Sequence, residues 1–190
     1  VVVVPNLLAQ ETTDFQNRTI LHIQTDISKH WFLPAWAIGN GQYYGTNNLN
    51  LLGGVGYRGK SWWLESMVQR QWNPKGDKLL FANRFQAQLS KRASLYAEVA
   101  PFLNQANRGS VYDMFVLDYR TWHKLNTGAE TENVHKPGKD SLGIGPRISM
   151  PLGHIGKYQV AGALAYQFRR SETNALRFYL VFNRRLQPKL

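Results

Sequence analysis

Residues 78–104, KLLFANRFQAQLSKRASLYAEVAPFLN, read as a β-hairpin. Leu79, Phe81, Phe85, Ala87 and Leu89 share one parity, and Leu80, Ala82, Arg84, Gln86 and Gln88 share the other. After a turn at Ser90-Lys91-Arg92, Leu95, Ala97 and Val99 alternate with Ser94, Tyr96 and Glu98. Successive side chains of a strand point to opposite faces, so each strand has one apolar and one polar face. Arg84 and Glu98 both fall mid-strand on the polar side. A sheet built this way and closed on itself has one greasy wall and one polar wall.

The design recurs in both directions from the hairpin. Further strands are predicted over about 18–27, 31–39, 49–58, 61–72, 112–124, 141–152, 158–169 and 174–183. With the hairpin they make ten, or eight if the first two are not both part of the sheet. Pro34 interrupts the second strand, a residue expected at an edge or bulge. Asn73-Pro74-Lys75-Gly76-Asp77 is a strong turn. The polar stretch 126–140, NTGAETENVHKPGKD, reads as the longest surface loop. Sustained helical periodicity and a domain boundary are both missing, so 10–190 is expected to form one domain. Residues 1–9, VVVVPNLLA, read as a signal-peptide remnant, apolar up to Leu7-Leu8-Ala9 and followed by polar QETTDFQN.

The chain has no cysteine, which excludes disulfides and thiolate metal sites. Its formal net charge is +11, from 23 Lys plus Arg against 12 Asp plus Glu. Such a balance suggests a nucleic-acid partner, but the placement of the charges argues against one. The lysines, at 29, 60, 75, 78, 91, 124, 136, 139, 157 and 189, sit at predicted turns or strand ends. Arg84, Arg120, Arg147 and Arg177 sit inside strands, where a guanidinium fork can pair with carboxylates. Long apolar runs are missing too, so a transmembrane helix is not expected. A barrel strand needs only about 9–11 alternating residues to cross a membrane.

Three features place the apolar parity outside. The polar faces are rich in Gly, Ala, Gln, Ser and Arg and nearly free of Lys. They carry both signs of charge, Glu65, Glu98 and Asp118 with Arg84, Arg120, Arg147, Arg169 and Arg177, as a paired interior network would. Trp31, Tyr57, Trp62, Trp72, Trp122, Tyr158 and Tyr166 lie near strand ends, where interfacial girdles form. With its signal-like start, its even strand count and this inverted alternation, the chain resembles small bacterial outer-membrane β-barrel proteins over about 18–183. The resemblance implies an all-β, antiparallel, up-and-down transmembrane barrel in a Gram-negative outer membrane. It also implies a C-terminal assembly signal, which Phe178, Leu180 and Phe182 match in part; NRRLQPKL then follows Phe182, where that class ends on an aromatic.

The expected site is the lumen network of Glu65, Arg84, Glu98, Asp118, Arg120, Arg147, Arg169 and Arg177. Its excess of arginine favours anions if water fills the lumen. A ten-strand barrel is narrow enough for side chains to fill, which favours a packed interior instead. The expected role is structural or small-solute and anion-leaning. The expected partners are membrane lipid, including anionic outer-leaflet lipid, and no cofactor is implied.

A lipid-modifying enzyme or hydrolase is the alternative from another class, with His22 and Asp26 on one face as weak catalytic candidates. Ser66 and Ser149 are candidate nucleophiles only by elimination. His135 with Glu130, Glu132 and Asp140 fits no metal-ligand spacing. The glycine runs 53–59 and 143–147 open no helix, so they read as interior strand glycines rather than phosphate cradles. A soluble lipocalin-like barrel is the third reading, with Phe81, Phe85, Leu164, Phe178 and Phe182 turned inward around a ligand.

Overall fold

Among the described residues, eleven strands close into a single barrel. The computed structural model describes residues 13–42, 47–74, 76–170 and 172–187. The signal-peptide reading of 1–9 lies outside them. The strands are β1 (Asp14–Asp26), β2 (Trp31–Gln42), β3 (Asn48–Arg58), β4 (Trp62–Trp72), β5 (Lys78–Gln88) and β6 (Ala93–Pro101). They continue as β7 (Val111–Trp122), β8 (Leu125–Lys136), β9 (Lys139–Ile155), β10 (Tyr158–Arg170) and β11 (Ala175–Leu186). Each strand pairs antiparallel with the next, and β1 closes on β11 in parallel, from Asp14↔Ala175 to Thr25↔Leu186. An odd count imposes that parallel seam. Side chains brace it: Arg177 Nε donates to Gln16 (2.7 Å), and Arg185 pairs with Asp26 (2.7 Å).

The strand beyond the expected ten is β8. The stretch read as a long loop runs as a full strand between β7 and β9. It turns into β9 through Pro137-Gly138, with Gly138 at φ +76°. Proline followed by a positive-φ glycine is a type II turn. This correction also orders the connections. One end carries turns 27–30, 59–61, 89–92, 123–124 and 156–157 and the C-terminal end of β11. The other carries the connections that follow β2, β4, β6, β8 and β10. We call them the turn end and the loop end. Pro34 sits in β2, a strand paired on both sides, and the ladder to β3 skips Leu33 and Pro34, where the ring leaves no N–H to give.

The exterior is apolar. Leu51, Val68, Phe81, Leu117, Ile148, Leu164 and Phe178 are exposed around it. Phe81, Phe85, Leu164, Phe178 and Phe182 share this outward parity, and none lines either chamber of the barrel, whereas the lipocalin-like reading turns all five inward. Rings of Trp31, Tyr57 and Trp62 touch in sequence at the turn end, with centroids 5.1 Å and 5.7 Å apart. Trp72 and Tyr166 lie towards the loop end. The interior takes the opposite parity, and glycine makes room there. A Cβ built on Gly56 would enter the Phe32 ring, and one on Gly145 would overlap the Tyr166 carbonyl oxygen. Gly145→Ala is therefore expected to push β9 off β10 and destabilise the barrel by at least the about 1–3 kcal/mol of overpacking. Urea titration in detergent, read by gel mobility without boiling, measures it.

Candidate functional site

Inward-facing residues of neighbouring strands stack into rows, because register fixes which side chains lie level. One row reads Glu65↔Arg84↔Glu98 across β4, β5 and β6. Arg84 Nη2 donates to Glu98 (3.0 Å), and its guanidinium lies 4.2 Å from the Trp36 ring centroid. Glu65 is fully buried. It accepts from Trp36 Nε1 (2.8 Å) and Gln24 Nε2 (3.0 Å), and His22 Nε2 lies 3.1 Å from it. His22 stacks on Trp36 with centroids 3.8 Å apart. Asp26 is not its partner: Asp26 pairs with Arg58 (2.8 Å) and Arg185, tying β1 to β3 and β11. The two candidate catalytic residues thus serve separate structural contacts. Ser66 points outward to Asn83 (2.8 Å), and Ser149 donates to Asp118 (3.1 Å).

The second charged group hangs on β8. Glu130 accepts from Tyr179, from Gln167 (2.8 Å) and from Arg147 (2.6 Å). Glu132 accepts from Tyr112 (2.7 Å) and Arg18 (2.9 Å), pairs with Arg177, and lies 3.8 Å from Arg169. Asp118 lies 3.6 Å from Arg147. Of the predicted network, seven members are joined in these contacts; Arg120 lies exposed near the end of β7, apart from them. Arg18, Arg58, Glu130 and Glu132 were missed as members, and Asp26, expected as a catalytic candidate, joins the network instead. Arg18 was signalled by its inward parity with His22 and Gln24. The two glutamates carried no such signal, because β8 has no apolar parity to reveal it.

With these additions the interior balances. Arg18, Arg58, Arg84, Arg147, Arg169 and Arg177 face Asp26, Glu65, Glu98, Asp118, Glu130 and Glu132, six of each sign. The excess of positive charge lies at the mouths. Lys78 and Lys136, with Glu172, line the loop end, and Lys157, Arg184 and Arg185 line the turn end.

Two chambers lie inside the barrel, of about 670 Å³ towards the turn end and about 280 Å³ towards the loop end. Arg18, Ile38, Arg84 and Glu98 line both and so form the constriction between them. Among the described residues no three His, Asp or Glu side chains converge so that they could hold a metal ion. The outer wall carries one further polar cluster, where His135 lies 2.7 Å from Asp113 and 3.3 Å from Asp140 near the loop end.

An apolar outer wall, aromatic belts and a charged, chambered interior define the class of transmembrane β-barrels. Among solved structures the chain shares its fold with KdgM porin. One structure, KdgM porin in complex with disordered oligogalacturonate, matches with a TM-score of 0.57 at 10% identity, over 85% of this chain and 94% of that one. A second KdgM porin structure gives 0.55 at 11% identity, over 83% and 94%. No protein-family model matches the chain, and no curated protein matches it in sequence.

Proposed function

We propose that this chain is an outer-membrane porin of a Gram-negative bacterium that passes small anionic solutes. The observation that carries the reading is the pair of in-line chambers with basic mouths. Balanced charge in the middle neither traps nor repels an anion strongly, while lysine and arginine at each entrance raise its local concentration. The shared fold with a porin supports the same reading, and the oligogalacturonate in one such structure is a polyanionic sugar, which suggests acidic oligosaccharides as the solute class. The short turns and the C-terminal end of β11 would face the periplasm, and the longer loops the exterior. Exposed Arg108, Lys136, Lys139 and Arg170 at the loop end would then meet phosphates of the anionic outer leaflet.

The test is a planar bilayer holding the refolded chain across a potassium chloride gradient. The expected reversal potential has the sign of chloride selectivity. Lys157→Glu combined with Arg185→Glu, at the turn-end mouth, is expected to lower or invert it. A cation-selective wild type, or a chain that never inserts, overturns the reading.

A further inference from the structure

The larger chamber holds an aromatic row beside the charge network, joined to it by the Tyr96 hydroxyl, which donates to Glu98 (2.9 Å). Register places Trp63 of β4, Gln86 of β5 and Tyr96 of β6 level with one another on the inner wall. The Trp63 and Tyr96 rings are 6.3 Å apart at 64°. Gln86 lies exposed between them and makes no side-chain hydrogen bond with the described residues. Two residues deeper along β5 lies Arg84, only 2% exposed, whose Nε and Nη1 have no hydrogen-bond partner. Buried donors without partners are rare and call for an explanation. Elsewhere the surface aromatics form belts on the exterior, so a half-buried indole facing a polar chamber has no interfacial task.

We infer that Trp63, Gln86, Tyr96 and Arg84 form a binding subsite for one residue of an acidic saccharide, an inference that rests on the porin reading above. The four groups match the four parts of a uronate. Its apolar C–H face lies on Trp63 and Tyr96, which offer large rigid surfaces with polar edges. A ring hydroxyl meets the Gln86 amide, which can both donate and accept. The carboxylate faces the guanidinium of Arg84, which lines the chamber; its Nε and Nη1 are covered in the free barrel, so the side chain shifts towards the carboxylate on binding. The chamber, about 670 Å³, falls among small-molecule sites, which span about 300–1,000 Å³. A neutral sugar would keep the stacking and lose the carboxylate contact.

Digalacturonate titrated into the refolded full chain in micelles, followed by tryptophan fluorescence, tests the subsite. Saturable quenching is expected with digalacturonate and markedly weaker quenching with neutral cellobiose. Trp63→Ala is expected to weaken digalacturonate binding about tenfold, a loss of about 1.4 kcal/mol. Trp62→Ala removes the neighbouring indole on the outer wall and is expected to leave binding unchanged. Heat-modifiable gel mobility shows that each variant is folded. Equal affinity in wild type and Trp63→Ala, no quenching in wild type, or equal quenching by both sugars overturns the subsite. Because the readout is binding in micelles, a chain that binds digalacturonate through Trp63 but conducts no anion keeps the subsite and discards the porin reading.

Discussion

Glu130→Ala is expected to cost the barrel about 3–5 kcal/mol, the penalty for breaking a buried ion pair from one side. The carboxylate is fully buried. It accepts from Tyr179, Gln167 and Arg147, and Arg177 lies 3.6 Å away. Those partners come from β9, β10 and β11, so one side chain on β8 gathers three other strands. Removing it leaves Arg147 with Asp118 at 3.6 Å as its other carboxylate. Water cannot repair the loss easily in a closed interior, where unpaired groups are costly. Glu130→Gln keeps the volume and one acceptor, so a smaller loss is expected. The measurement is the urea midpoint in detergent, followed by tryptophan fluorescence and by gel mobility without boiling. A Glu130→Ala barrel within about 1 kcal/mol of wild type, the size of an ordinary surface-to-core substitution effect, would mean that the network adds nothing to stability.

That the decisive carboxylates sit on β8 explains what the sequence hid. Period-two reading found β1, β3, β4, β5, β6, β7, β9, β10 and β11 because outward-facing Leu, Phe, Ile and Val marked one parity. In β8 the outward residues are Thr127, Ala129, Thr131, Asn133 and His135. Polar residues on both faces erase the alternation, and the segment reads as a loop. Its outer polarity has partners: Asn133 donates to Asp113 (2.7 Å), and Thr131 Oγ1 accepts from the Phe115 backbone N–H (3.3 Å). Such contacts join neighbouring strands, and no single-chain periodicity encodes them. The Pro137-Gly138 pair was the available signal, since it marks a tight turn between two strands rather than the interior of a long loop.

The charge count shows the same limit. Five arginines against three acids on the visible strands suggested an anion-favouring interior. With Arg120 outside the network and Arg18 and Arg58 inside it, the arginines number six, and Glu130, Glu132 and Asp26 bring the acids to six as well. Arg84 and Glu98 were legible as a pair because they flank one short turn. Arg18 with Glu132 was not, because 114 residues separate them in sequence. The structure also modifies the choice between a packed and an open lumen. Side chains of Arg18, Ile38, Arg84 and Glu98 narrow the middle, and chambers remain on either side.

Replacing Arg84 and Glu98 together by serine is expected to raise single-channel conductance several-fold. These two residues line both chambers, and with Arg18 and Ile38 they separate them. A pore's resistance is set by its narrowest part, so widening the mouths would change the current little. The double substitution removes both charges of the pair at once, so neither is left without the other, and the Tyr96 hydroxyl that donated to Glu98 lines the chamber. Glu65 keeps its donors from Trp36 and Gln24 after Arg84 is gone. Arg84→Ser alone leaves Glu98 with the Tyr96 hydroxyl (2.9 Å), so that variant is expected to destabilise the barrel as well as open it. A matched control is Arg70→Ser with Asp77→Ser, an ion pair of similar length (2.8 Å) whose side chains are 57% and 46% exposed. It lies outside both chambers and should leave the current unchanged. Planar-bilayer recordings of the two double variants decide the point. If the Arg84–Glu98 variant folds, shifts on boiling and still conducts as wild type does, current does not cross this constriction, and the two chambers are not one path.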